Sequence, residues 1–175
     1  MKNFDEIYQI AADNYGVITA AQARDVGVSR TELNRWCVNG WLARRGWGVY
    51  RLTRWVPTPF DAYAEAVALV GEGACLYGES VLALCNLALV DPSSITVATS
   101  RRVRREVPPW VRVVSAPKNM RCTFIEGVPA QPVADALRAC SKSIMRERLI
   151  DAVEQARAGG FLTAQEYEEL RREFT

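Results

Sequence analysis

Apolar residues recur at helical spacing near the start of the chain, at Phe4, Ile7, Ile10 and Ala11. Asn3 stands where a cap would, with Glu6 three residues on as its capping-box partner, and Tyr15-Gly16 closes the segment. The same signature recurs twice, Thr19 with Gln22 and Ser29 with Glu32, and predicts two further short helices. Gly27 ends the first of these, and Asn39-Gly40 the second, because glycine tolerates the left-handed conformation of a helix stop. Val28 before its cap and Leu33 after it form a hydrophobic staple. The pattern then shortens to two strands, Trp41–Arg44 and Val49–Leu52, joined across Arg45-Gly46-Trp47-Gly48. Pro57 and Pro59 mark residues 53–59 as a linker.

The remainder mixes both periods. Helices are predicted over Phe60–Val70 and Gly78–Leu89, and strands over Ser94–Ala98, Arg112–Ser115 and Cys122–Ile125, with Val128–Ala130 as a hairpin return. Three helices close the chain, Pro132–Cys140, Ser143–Ala158 and Ala164–Glu173, the last capped by Thr163 with Glu166. Met145, Leu149, Ala152, Val153 and Ala156 form an apolar stripe suited to core packing or, alternatively, to a partner surface. The expected fold class is therefore α+β. A winged helix-turn-helix over residues 1–56 precedes a mixed domain over residues 57–175, with a small sheet and closing helices.

The helix opened by Ser29 has two chemically distinct sides. Leu33, Trp36 and Cys37 share one face, whereas Arg30, Thr31, Asn34 and Arg35 project from the other. Arginine can pair with guanine in bidentate fashion and asparagine with adenine, while Ser29 and Thr31 suit phosphates or base edges. Arg44, Arg45 and Arg51 lie in the hairpin, which would rest against phosphates or an adjacent minor groove. Trp41 and Tyr50 are expected to pack beneath it. A solvated helical bundle or a protein-docking adaptor uses similar residues, so the adaptor stands as the alternative to DNA binding.

Charge sharpens this division. The 175 residues carry 22 Lys and Arg against 20 Asp and Glu, a net charge of only +2. Residues 1–55 hold eight of these basic groups against five acidic ones, and residues 56–175 hold 14 against 15. A nucleic-acid surface must therefore be local and lie toward the amino end. The densest run, Arg101, Arg102, Arg104 and Arg105, falls between two predicted strands. It reads either as a solvated loop or hairpin tip, or as a second contact for an anionic partner.

Catalytic chemistry finds little support. There is no histidine, and the five cysteines (Cys37, Cys75, Cys85, Cys122 and Cys140) show no metal-ligand spacing. They read as small buried apolar residues of a reduced, cytoplasmic protein. Asp91 and Glu126 are the carboxylates near strands that a metal-dependent nuclease would need, but neither is followed by the required lysine. No catalytic residue, metal or cofactor is expected. The amphipathic, acidic start is no signal peptide, and no apolar run reaches membrane-spanning length.

The run from Ile18 to Leu52 resembles the N-terminal domain of AbiEi-type antitoxins, above all in Gly40-Trp41-Leu42-Ala43-Arg44-Arg45-Gly46-Trp47-Gly48-Val49-Tyr50. Glu79–Leu84, Ile95–Ala98, Gly127-Val128-Pro129 and Val133–Leu137 are similar to later passages of the same family, more loosely around Gln131-Pro132. The resemblance implies a cytoplasmic repressor that binds inverted repeats in its own promoter. It also implies an antitoxin of a type IV toxin–antitoxin system, linked to phage defence. Its C-terminal domain would counter a nucleotidyltransferase-like toxin without a stable complex. The double-stranded promoter DNA would be bound by a monomer or weak dimer.

Overall fold

In a computed structural model, which describes residues 2–175, the chain opens with helix α1 (Lys2–Ala12), strand β1 (Val17–Thr19) and helices α2 (Ala20–Asp25) and α3 (Arg30–Val38). Strands β2 (Leu42–Gly46) and β3 (Val49–Leu52) follow as the wing. α1 is already helical at Lys2, so Asn3 lies inside its first turn and does not cap it. The caps expected at Thr19 and Ser29 form, each as a reciprocal capping box. Both helix stops are built by the glycines. At Gly27 (φ 77°) the amide of Val28 donates to Ala23 O, and at Gly40 (φ 73°) the amide of Trp41 donates to Trp36 O. This six-to-one closure needs a left-handed residue just past the cap.

Strand β1 was not legible from the sequence. It pairs antiparallel with β3, which pairs antiparallel with β2, giving a three-stranded sheet. Alternation splits this sheet into two faces. Ile18, Tyr50, Leu42 and Leu52 turn toward α1–α3 and join Ile7, Ala11, Ala23, Val28, Leu33 and Trp36 in one core. Val17 and Val49, on the opposite face, join the larger core formed by the rest of the chain.

That larger core surrounds a five-stranded sheet. Its strands are β4 (Cys75–Leu76), β5 (Ile95–Thr99), β6 (Val111–Ser115), β7 (Thr123–Ile125) and β8 (Val128–Ala130), in the order β6-β5-β4-β8-β7. The central strand has two residues, Cys75 and Leu76, which point to opposite faces and are both wholly buried, so helices or loops cover both sides. Helices α4 (Asp61–Val70), α5 (Glu79–Leu84), α6 (Val133–Ala139), α7 (Arg146–Ala158) and α8 (Ala164–Phe174) complete the fold.

Two expectations change. The helix predicted to reach Leu89 ends at Leu84, because Asn86 takes a left-handed conformation (φ 54°) and the amide of Leu87 closes back on Leu82 O. Met145 leaves the core stripe. It sits exposed just ahead of α7, while Leu149, Ala152, Val153 and Ala156 are buried. No helix among the described residues is long and apolar enough to cross a membrane.

Candidate nucleic-acid interface

The outward face of α3 is continuous. Arg30, Thr31, Asn34 and Arg35 are all exposed, and Leu33 and Trp36 hold the opposite face in the core. Val38, four residues after Asn34, extends the same face and is 88% exposed. An apolar side chain there suits a thymine methyl group. The i, i+4 spacing from Asn34 was the signal that would have found it.

Ser29 is committed to structure. Its hydroxyl accepts from the amide of Glu32, while its own amide donates to Glu32 Oε2 at 2.9 Å. The hydrogen bonds from the Ser29 backbone and side chain hold the Glu32 carboxyl below its usual range, so the box persists into mild acid. What Ser29 supplies is the orientation of the first turn of α3.

The wing reaches back over that turn. Trp47 occupies the β2–β3 turn, 60% exposed, and the guanidinium of Arg30 lies over its ring at 5.2 Å. The amide of Ala20 donates to Gly48 O at 2.7 Å, which ties the turn to the start of α2. Helix α3 and the wing tip therefore meet through Arg30 and Trp47. Trp41, expected beneath the wing, is half exposed and tilts against Phe4 (4.8 Å between centroids), while Tyr50 is buried as expected.

The hairpin arginines separate. Arg44 is exposed, its Nε donating weakly to Gly46 O at 3.4 Å. A β-bulge between Arg44 and Gly46 re-aims Arg45, whose Nε donates to Glu65 Oε1 at 2.8 Å. Arg51 turns fully away from α3. It donates to Glu65 Oε2 at 3.1 Å and to Asp61, both on α4. Glu65 and Asp61 are only 2% and 5% exposed. Asp61 also accepts from Trp55 Nε1 at 3.1 Å and from the Thr58 hydroxyl. Burial would raise its pKa, but these hydrogen bonds and the Arg51 charge prevail and hold it below the ordinary carboxylate range. Arg51 is thus a buttress of the wing, which corrects its expected place on the DNA face, and Arg45 is shared between buttress and surface. The sequence did carry a hint. A glutamate buried within the apolar helix DAYAEAVALV requires a cationic partner.

The Arg101–Arg105 run is a crossover and not a hairpin tip. β5 and β6 are parallel neighbours, so residues 100–110 must travel back along the sheet. Asp91 and Glu126 stay apart from any constellation. Asp91 lies in the loop before β5, and Glu126 lies in the β7–β8 turn, where its carbonyl accepts from the Tyr15 hydroxyl. Among the described residues no cluster of three or more His, Cys, Asp or Glu is placed to hold a metal ion.

Residues 5–53 match the family described as transcriptional regulator, AbiEi antitoxin. That likeness covers the N-terminal segment of the chain. The matched span takes in most of α1, all of α2 and α3 and the whole three-stranded sheet, so it includes the face described above. The fold extends further. The crystal structure of the RV2827C protein from Mycobacterium tuberculosis superposes over 97% of this chain and 71% of that one, with a TM-score of 0.50 and 16% identity. At that identity the likeness concerns the fold. No curated protein matches the chain.

Proposed function

We propose that the chain is a DNA-binding transcriptional repressor and the antitoxin of a type IV toxin–antitoxin system. Residues 1–56 form the DNA-binding domain and residues 57–175 the domain that counters a nucleotidyltransferase-like toxin, without a stable complex. The protein acts in the cytoplasm, as a monomer or weak dimer, on the double-stranded promoter of its own operon. The observation that carries this reading is the exposed polar face of α3 joined to the wing tip by the Arg30–Trp47 cation–π contact, within the AbiEi match.

On this reading Arg30, Thr31, Asn34, Arg35 and Val38 face base edges in the major groove, Arg44 and part of Arg45 lie on the flanking backbone, and Trp47 holds Arg30 in place. Ser29 contributes through the cap it forms. The test is binding of the full chain to a duplex spanning the region upstream of its gene, at several salt concentrations. Tight, salt-dependent binding that exceeds binding to a scrambled duplex supports the proposal. Equal affinity for both duplexes, or a stoichiometric protein partner captured with no DNA binding at low salt, contradicts it and favours the adaptor.

A further inference from the structure

The C-terminal end of α4 is shared by two basic segments that are far apart in sequence. On one side Gly46, at the end of the wing strand β2, packs against the side chain of Leu69 so closely that a Cβ would collide with it. On the other side Arg105 Nη2 donates to the carbonyl of the adjacent residue, Val70, at 2.7 Å, and its guanidinium also abuts Gly71. Consecutive helix residues thus bracket the wing and the Arg-rich crossover, and the Arg45–Glu65 pair lies one turn earlier on the same helix. A guanidinium on the last carbonyls of α4 is a favourable placement, since the helix dipole is negative there.

Anchoring by Arg105 leaves its neighbours projecting. Arg101 pairs with Glu72 at 2.9 Å, but both partners are well exposed, so this bond competes with water and contributes little. Arg102 and Arg104 are exposed and have no ion-pair or hydrogen-bond partner among the described residues. An open groove of about 380 Å³ runs along the crossover, lined by Arg101, Arg102 and Arg105 together with Thr99, Ser115 and four valines. The exposed guanidinium groups of Arg102 and Arg104 create a local positive field that attracts an anion.

We infer that the Arg101–Arg105 crossover is a second phosphate-backbone contact, which extends the DNA footprint from the wing onto the C-terminal domain. The inference rests on the DNA-binding reading above. It assigns backbone contact to a segment outside the AbiEi match, which ends at residue 53. Arg102 and Arg104 touch phosphates on duplex that flanks the sequence read by α3, while Arg105 positions them and does not itself bind. The contact is electrostatic and indifferent to sequence.

The experiment compares the full chain with the double variant Arg102→Gln/Arg104→Gln. Each binds a long duplex from the upstream region and a scrambled duplex of equal length across a salt series. The slope of log affinity against log salt should fall by about 1.8 in magnitude, about 0.9 per lost phosphate contact, on both duplexes, with the preference for the upstream sequence retained. Arg172→Gln, an exposed charge on α8, serves as the control and should leave the slope unchanged. A double variant with the wild-type slope, or an equal loss from Arg172→Gln, overturns the second contact and leaves the α3 reading standing. A wild-type chain that binds neither duplex overturns both.

Discussion

Arg30 and Trp47 show how one contact can serve recognition without consuming it. A guanidinium held over an aromatic ring by its charge leaves N–H donors available to pair with a base edge. The ring removes rotamer freedom that DNA binding would otherwise have to remove. Two outcomes follow at this scale. Arg30→Ala should weaken binding to the upstream duplex by about 1–3 kcal/mol and relax preference at one base position, read by competition against single-base variants. Trp47→Leu should cost part of the same preference, Trp47→Phe should restore most of it, and neither should add to Arg30→Ala in a double-mutant cycle. Additive effects would mean that the ring acts on DNA by itself. Ser29→Ala should lower stability by about 1 kcal/mol in chemical denaturation, since the capping box opens.

At the scale of elements, α4 decides how the wing is carried. The helix is apolar apart from Asp61 and Glu65, and both carboxylates face Arg51. Removing one partner leaves a buried charge unmatched, so Arg51→Met should destabilise the protein by about 3 kcal/mol. Pairing it with Glu65→Met should recover part of that loss. The pH dependence has a definite sign. Asp61 has a folded pKa below its unfolded value, so its contribution is fully present above the ordinary aspartate pKa of about 3.9. That contribution is lost as pH falls through the depressed folded value. Thermal melts should therefore lose more stability below about pH 4 in the wild type than in Asp61→Asn.

The same scale explains what the sequence could and could not reveal. Caps at Thr19, Ser29 and Thr163 and stops at Gly27 and Gly40 are local, set by residues three or four apart, and each forms where expected. Strands β1 and β4 have three and two residues, too few for a period. They exist because β3 at one site and β5 and β8 at the other pair with them across long stretches of chain. The hairpin was visible as a basic strand pair, but its two-sidedness was not. Which arginine stays exposed and which turns toward α4 depends on the bulge at Arg45 and on a helix ten or more residues away. The direction of the Arg-rich segment likewise required knowing that β5 and β6 run parallel.

For the whole molecule, the two cores are not independent. Val17 and Val49 of the three-stranded sheet are buried in the larger core, and Tyr15 packs at a tilt against Phe60 with 5.7 Å between ring centroids. A wing fixed in this way is held in a set position against the larger core. Loosening the seam should blunt DNA binding without touching a DNA-facing residue, so Arg51→Met should weaken affinity as well as stability. The central claim of the proposal is that the outer face of α3, exposed within the AbiEi match, reads base sequence. The most direct test is the ratio of affinities for the upstream duplex and a scrambled duplex, at one fixed salt concentration, for the wild type and Asn34→Ala/Arg35→Ala. The account predicts a ratio well above one that collapses toward one in the variant, with the folded fraction unchanged. A ratio that the variant leaves intact would contradict it.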